Sequence, residues 1–550
     1  MPGSIHQYPN VLAECMGGEN SVGNYLNPGN IGFAEIRNDM YVDKSGLIGL
    51  INDTIDTSRK LTCVSRPRRF GKSFAAKMLC AYYDKTCDSS RLFDDLEIGR
   101  DNSPDGDYKK HLNRYDVIYL DMTSVMEAAG KDGMIEYIKR NVTQELAEVY
   151  PKLVPAESFA ATLSNAAGVS GNKFVMIIDE WDAPIREYSD VQKPYMDFLR
   201  ALFKNSGMTD KIFSAVYMTG ILPIKKDRSE SAISDFNEFH MIKPRMFAPY
   251  VGFTEADVRK LCDKYARDFS KMKQWYDGYT LKGAGSVYNP NSVIQAVRYD
   301  DFDSYWRQSS AAESLRRYIE MDFDGLSKAV AELLGGVDVP VDTAGFENDT
   351  VTFQTKDDIL ALMIHLGYLS YDEMTETVHI PNEEIQREFA RVIRGTHQKD
   401  TVQRIRECDQ LIYDTVNMNE EAVAAQIEKM HAEETAPLFY HQEQSLRSVI
   451  KLAYFTYKDH YIKFEELPAG DGYADIVYLP KRDSGMPALV IELKWDRSAE
   501  GAIAQIKGKR YPDVLKGYGS DVLLVGISYD KDPKAGGRKH SCRIEKVCLE

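Results

Sequence analysis

The chain has 550 residues, room for three or four domains, or two large ones, at roughly 100–200 residues each. Its composition, 43% hydrophobic and 28% charged, excludes wholesale disorder, and its net charge of −16 excludes a general basic coat for nucleic acid. Eight dispersed cysteines without a CxxC pair exclude a zinc ribbon and a disulfide scaffold, and fit a reducing cytosol.

Residues 1–30 are rich in Gly, Asn and Pro, show no period, and read as a loose N-terminal arm. Leu61 to Ser65 is a short β-prone run and Phe74 to Tyr83 a helix. Val117 to Asp121, Lys173 to Glu180 and Ile212 to Gly220 are further strand candidates, with helical periodicity at Gly133 to Val149 and Pro194 to Lys204. Strand and helix alternating over 31–250 predict a parallel sheet with helices on both faces. Residues 251–395 read mostly as helices, opening with the capped start Thr254-Glu255-Ala256-Asp257. Residues 396–435 read as a charged helical linking arm. From 436 to 550 the alternation returns as a compact α/β unit with an early hairpin, strands near 462–466, 473–479, 488–494 and 521–527, and helices over 442–456 and 499–515. The longest apolar runs fall far short of the about 20 residues that cross a bilayer. No basic segment followed by an apolar core stands at the N-terminus, so no membrane role, no secretory signal and a cytoplasmic location are expected.

Charge is unevenly spread. Thr57 to Tyr83 holds seven basic residues and no acid, which in an acidic protein marks a local anion site. Residues 431–550 balance at 18 basic and 18 acidic, and 501–550 are net +4, so the C-terminal end repels a polyanion least.

Ser65-Arg66-Pro67-Arg68-Arg69-Phe70-Gly71-Lys72-Ser73 sits between a strand and a helix, where a phosphate loop belongs, with backbone N–H groups and a helix N-terminus facing the phosphates. Lys72 would reach the β and γ phosphates and Ser73 would hold Mg²⁺. Arg66 stands where GxxxxGK[ST] has its first glycine, so the pattern alone is incomplete, and a basic solvated turn is the bland reading. About 100 residues on, Phe174 to Glu180 is a buried-strand run ending in two acids. Asp179 would take the Mg²⁺ shell and Glu180 would polarise the attacking water. Thr219, ending the next strand, could sense the γ-phosphate, although threonine is common there. Together these fit a nucleotide hydrolase better than a strand ending in solvated acids.

A second constellation lies in the last domain. Glu492 and Lys494 are two apart on a strand and so share a face. A hairpin can bring Asp475 beside Glu492 as a carboxylate pair for Mg²⁺, with Lys494 assisting a water against a phosphodiester. Glu443 on the preceding helix could add a third carboxylate, and Gln505 on the following helix could steady the water or a phosphate oxygen. A half-buried hairpin with exposed ion pairs is the bland alternative.

These residues resemble the AAA-ATPase-like proteins that carry a C-terminal PD-(D/E)XK nuclease-superfamily domain. The matching stretches run in order along nearly the whole chain: Tyr41-Val42-Asp43-Lys44, the Arg-Pro-Arg-Arg-Phe-Gly-Lys-Ser run, Ile178-Asp179-Glu180-Trp181-Asp182-Ala183-Pro184-Ile185 and Thr219-Gly220. Trp275-Tyr276-Asp277-Gly278-Tyr279, Tyr288-Asn289-Pro290, Ser304-Tyr305-Trp306, Leu366-Gly367-Tyr368-Leu369, Ile380-Pro381-Asn382-Glu383-Glu384 and Asp475 with Glu492-x-Lys494 follow. The family's loop similarly lacks the first glycine, which removes the objection of Arg66. The resemblance implies a multidomain α/β protein: a P-loop NTPase core with a parallel sheet, a helical middle region, and a restriction-endonuclease-like α/β domain. It implies ATP and Mg²⁺ as cofactors; joined to the reading of the residues above, it puts residues 66–73, Asp179 and Thr219 at the nucleotide, and Ser73, Asp179, Glu443, Asp475 and Glu492 at metal. Glu180, Asp475, Glu492, Lys494 and Gln505 would be catalytic. Two stretches depart from the family pattern: Ile221 to Lys226 after Thr219-Gly220, and Pro468 to Ala474, where an Arg often stands beside the Gly-rich turn.

The leading function is therefore an ATP-regulated, Mg²⁺-dependent nuclease acting on DNA in preference to RNA, in defence or mobile-element conflict, with homo-oligomer assembly open. Arg228 is a candidate arginine finger. A second reading is an ATPase switch whose nuclease-like domain binds nucleic acid or protein without cutting. A small-molecule kinase would leave the C-terminal 120 residues unexplained.

Overall fold

The computed structural model describes residues 23–100, 106–204, 206–224, 233, 235–306, 326–334, 336–344, 346, 355–394, 399–434, 446–447, 449–450, 453–454, 461–469, 472–481, 486–509, 521–531 and 539–548. The chain divides into two compact units, residues 1–311 with 340–388, and residues 312–339 with 389–550.

The first unit is built on five strands: β1 (Leu61–Ser65), β2 (Asp116–Asp121), β3 (Phe174–Asp179), β4 (Phe213–Gly220) and β5 (Asn237–Phe239). They lie in the order β2-β3-β4-β1-β5, and every pair is parallel. β1, β3 and β4 are buried along their whole length, as strands covered on both faces must be, which is why β3 reads in sequence as an unbroken apolar run from Phe174 to Ile178 and the other two as mostly apolar, β-prone runs. The C-terminal end of a parallel sheet is where loops gather ligand-binding groups. Ser65, Asp179 and Gly220 all end strands there.

Residues 23–30 are tied to this sheet. Leu26 bridges Ile118 on β2, Asn27 Nδ2 donates to Asp116 at 3.0 Å, and Gly29 N donates to Asp84 at 2.7 Å. The long helix Met122–Val149 takes Asp121 as its N-cap and is broken by Gly130 at φ 68°. Residues 255–276 form two helices, Glu255–Tyr265 and Phe269–Tyr276, separated by Ala266 in left-handed backbone. The largely helical stretch also holds two small antiparallel hairpins, Tyr279–Leu281 with Gly285–Tyr288 and Ser370–Asp372 with Thr377–His379. Thr254, expected as a helix cap, is the N-cap of Glu255–Tyr265 and forms a capping box with Asp257.

The second unit carries a five-stranded mixed sheet in chain order: Tyr461–Ala469, Gly472–Pro480, Ala488–Trp495, Asp521–Tyr529 and His540–Cys548. Ala488–Trp495 and Asp521–Tyr529 are parallel, and the other neighbours are antiparallel. Helix Ala499–Gly508 lies between those two parallel strands in the chain and packs on both, so closely that a Cβ at Gly526 would stand 2.4 Å from Ala499 O. The final strand was not among those read from the sequence. No described helix is long and apolar enough to cross a membrane.

Candidate functional site

After β1 the chain turns through residues 66–71 into the helix Lys72–Tyr83. Arg69 and Gly71 take left-handed backbone, at φ 67° and 89°. Gly71 is the N-cap and offers no side chain to the first-turn N–H groups. Those donors and the positive end of the helix are thus left for an anion. Lys72, 4% exposed, donates from Nζ to Pro67 O at 3.0 Å, and Nζ lies 3.4 Å from Glu180 Oε1.

Asp179 ends β3 and hydrogen-bonds Ser73; burial nevertheless lifts its carboxyl to about 6. Glu180 follows at φ 52°, an uncommon conformation for a non-glycine residue. Burial pushes the Glu180 carboxyl up, but Lys72 and Arg186 outweigh it and hold it below the ordinary range. Arg186 Nη2 lies 2.9 Å from Glu180 Oε2. Thr219 lies on β4, between β1 and β3, in register with Val64. It is fully buried, and its Oγ1 meets no partner among the described residues. The structure thus brings Lys72, Ser73, Asp179 and Glu180 to one edge, with Thr219 on the strand between. Beside them opens a cavity of about 670 Å³, lined by Lys72, Ser73 and Glu180 together with Phe33, Asn291 and Gln295 but not by Asp179 or Thr219, and its size suits a small-molecule ligand.

The other loop residues divide by burial. Arg66, named with the loop as a nucleotide contact, turns inward and is fully buried. Its guanidinium finds carbonyls there: Ser65 O at 2.9 Å, Phe239 O at 3.1 Å and Phe247 O at 3.5 Å. Burial pulls that guanidinium down to about 10. Phe70 is also buried, edge-on to Tyr279 at 5.4 Å. Burial lowers the Arg68 guanidinium, with Arg186 adding to the effect and Glu180 opposing it. Arg69 Nη1 donates to Tyr305 O at 2.6 Å, and Pro67 lies under Gly367.

Asp182 and Arg186 had no assigned role in the sequence reading, although Asp182-x-x-x-Arg186 has the i,i+4 spacing of a helical ion pair. Asp182 is buried, takes Arg186 Nε at 2.9 Å, and accepts from Ile221 N at 3.2 Å and Leu222 N at 2.9 Å. A Cβ at Gly220 would stand 2.6 Å from Asp182 Oδ1 and 2.7 Å from the Trp181 ring. That contact explains the glycine after Thr219.

In the second unit the pairing Ile476↔Ile491 sets Asp475 opposite Glu492 at the next register step. Asp475 Oδ2 accepts from Leu493 N at 2.9 Å. Glu492 is 2% exposed; its Oε1 takes Lys494 Nζ at 3.1 Å and the Gln505 amide, while Oε2 is buried without a partner among the described residues. Lys494 Nζ also donates to Gln505 Oε1 at 2.6 Å. Burial first, then Asp475, raises the Glu492 carboxyl. Asp475, Glu492, Lys494 and Gln505 are therefore gathered, with one addition that sequence reasoning missed: Arg447 Nη2 pairs with Asp475 Oδ1 at 2.8 Å. Among the described residues no three His, Cys, Asp or Glu side chains form a metal cluster. Glu443 and Arg228 lie outside the described residues.

Residues 29–228 match the model of the AAA-ATPase-like family, described as predicted AAA-ATPase. An uncharacterised protein in the vnfD 5′ region of Azotobacter chroococcum mcd 1 is 24% identical over 285 residues, 50% of this chain and 52% of that protein. The chain thus spans about half the length of that curated relative. Among solved structures, the Aeropyrum pernix ORC2 protein (ADPNP–ADP complexes) aligns with a TM-score of 0.25 at 10% identity, over 65% of this chain and 97% of that one. C. elegans PCH-2 aligns with a TM-score of 0.23 at 8% identity, over 61% and 72%. Residues 29–228 are thus similar to the AAA-ATPase-like family, and within them lie β1 to β4 of the parallel sheet and the loop-to-helix turn at Gly71-Lys72.

Proposed function

We propose that the chain binds and hydrolyses ATP in its first unit and couples this to a Mg²⁺-dependent nuclease activity on DNA in its second. The observation that carries the ATPase half is the meeting of Lys72, Ser73, Asp179 and Glu180 at one strand edge beside the cavity. Ser73 and Asp179 offer a hydroxyl and a carboxylate, oxygen donors that suit Mg²⁺. Bound there, the ion would offset charge on the phosphates. Lys72 would bind the β and γ phosphates, Thr219 would meet the γ-phosphate with its hydroxyl, which has no partner among the described residues, and Glu180 would orient and polarise water. Arg186 fixes the Glu180 carboxylate, and Asp182 fixes the strand-end loop beside it. ATP turnover by wild type and by Glu180→Gln, measured as phosphate release, tests this half. Phosphate release at the wild-type rate in Glu180→Gln would refute the assignment.

For the second unit, support comes from the buried Oε2 of Glu492, without a partner among the described residues, next to Asp475 and Lys494. Two carboxylates would hold Mg²⁺, which would polarise the scissile phosphate, and Lys494 would steady the attacking water with Gln505. A second reading, in which this unit binds nucleic acid or protein without cutting, draws on Arg447. Its ion pair with Asp475, added to the Leu493 N–H bond, occupies both oxygens of that carboxylate. Metal-dependent cleavage of plasmid and single-stranded DNA, with and without ATP, separates the two. Action in the cytoplasm and in defence against mobile elements belongs to the same proposal.

A further inference from the structure

The motif Ile380-Pro381-Asn382-Glu383-Glu384 has no part in the chemistry above, yet Glu384 lies at the centre of the contacts that hold the phosphate loop. It is 1% exposed, on the helix Glu383–Arg394, whose start is capped by Asn382 accepting from Ile385 N. One oxygen, Oε1, accepts from Ser292 Oγ at 3.0 Å and from Tyr305 N at 2.7 Å, and the carboxylate also takes the backbone N–H of Trp306. Two of these partners, Ser292 and Tyr305, lead to the nucleotide site. Ser292 belongs to the helix Pro290–Tyr299, whose Asn291 and Gln295 line the cavity. Tyr305 carries the carbonyl that takes Arg69 Nη1 at 2.6 Å, and Arg69 is the loop residue in left-handed backbone. Asn289, the N-cap of the same cavity helix, reaches Arg68 O at 3.4 Å. The motif around Gly367 closes the brace. Tyr279 OH donates to Gly367 O at 2.6 Å, and a Cβ on Gly367 would stand 2.7 Å from Pro67.

We infer that Glu384 is a positioning residue that fixes the distance between the phosphate loop and the cavity helix, so that one nucleotide can engage both at once. This rests on the nucleotide reading proposed above. A carboxylate accepting three donors is a rigid joint because Glu384, Ser292 and Trp306 are buried and have little water to replace the bonds, with Tyr305 half-buried beside them. Without the joint, loop and helix each remain able to bind their half of a nucleotide. What is lost is the advantage of binding both halves simultaneously.

The test is calorimetric titration of ADP, adenosine and inorganic pyrophosphate into the full chain, as wild type, Glu384→Ala, Glu384→Gln and Ser292→Ala. Glu384→Ala is expected to weaken ADP about tenfold, the scale of a lost charge-assisted bond. Adenosine and pyrophosphate should bind within about twofold of wild type, a pattern that a general loss of structure would not give. Glu384→Gln, which keeps an acceptor oxygen, should restore most of the ADP affinity. Ser292→Ala, which removes a single partner, should show the same pattern at about threefold and serves if Glu384→Ala does not fold. Wild-type ADP affinity in Glu384→Ala, or in Ser292→Ala where only that variant folds, would overturn the inference. So would equal weakening of all three ligands. Wild type that binds no ADP would overturn the nucleotide reading itself.

Discussion

Lys72 and Glu180 face each other at the end of β3, Nζ 3.4 Å from Oε1, with both side chains largely out of solvent. The ammonium proposed to hold the phosphates is thus paired with the acid proposed to polarise water. Nucleotide binding must exchange that pairing for phosphate oxygens. Glu180 keeps its second oxygen on Arg186 and does not lose its orientation. Glu180→Gln should therefore bind ATP a few-fold more tightly than wild type, since Lys72 no longer gives up an ion pair, and should lose hydrolysis. Calorimetry and phosphate release on the same preparation check both. Weaker binding in the variant would mean that the pair helps to build the site instead of competing with its ligand.

Lys72→Ala is the converse. It removes the side chain assigned to the phosphates and leaves Glu180 with Arg186. ATP affinity should fall by at least about a hundredfold, beyond the loss of one ordinary charged contact, because several phosphate oxygens lose their partner together. Unchanged affinity by calorimetry would remove the phosphate-loop assignment.

The strands around this site are legible in sequence because buried parallel strands need continuous apolar runs, and Phe174 to Ile178 is one. Asp179 and Glu180 stand out as acids ending such a run. The strand His540–Cys548 is different. It is an edge strand with polar residues alternating along it, so it carries no apolar run to read. Asn237–Phe239 has three residues, too few for any period. The inward turn of Arg66 depends on carbonyls at positions 239 and 247, and the brace joins Ser292 to Glu384 and Asn289 to Arg68. Contacts so far apart in the chain leave no periodic trace. The motifs at 288–290, 304–306 and 380–384 could be seen in the sequence, but their common target, the phosphate loop, could not.

Glu384 also makes a prediction about pH. Burial, with Glu388 adding to it, lifts its carboxyl to about 7 despite the bonds from Ser292, Tyr305 and Trp306; among the described residues the phenols of Tyr276, Tyr279 and Tyr305 also face it. A raised acid favours the folded state fully below its unfolded value, and that contribution is lost as pH rises through the folded value. Wild-type stability should thus decline between about pH 4.5 and 7 through this group, by roughly 3 kcal/mol at most. Glu384→Gln does not titrate. Its melting temperature minus that of wild type should rise from pH 5 to about pH 7 and level off by pH 8. A difference that is flat across this range would mean that Glu384 ionises at an ordinary carboxylate pH.

The last prediction concerns the second unit. Glu492 Oε2 is buried without a partner among the described residues, and its carboxyl is raised by burial and by Asp475. Mg²⁺ shared by the two carboxylates would supply the missing partner and reverse that rise, since a divalent ion favours the charged form. Asp475 must first give up Arg447, whose guanidinium is about one-third exposed and can be released at little cost. Lys494 is no ligand, since an ammonium has no lone pair to offer, but it touches both Glu492 and Gln505 and so stands where the attacking water would be held. Asp475→Asn should therefore lose Mg²⁺ binding and DNA cleavage together. Lys494→Ala should retain Mg²⁺ binding and lose cleavage, and Arg447→Ala should bind Mg²⁺ more tightly than wild type. ATP hydrolysis by the full chain in the absence of DNA should be unchanged in all three. Calorimetric Mg²⁺ titration beside a plasmid-nicking assay reads each outcome. If wild type binds Mg²⁺ but cuts neither plasmid nor single-stranded DNA with or without ATP, the unit is a binding module, and the Arg447–Asp475 pair is its resting state. If Lys494→Ala cuts as well as wild type, the water is held elsewhere and the site has been misassigned.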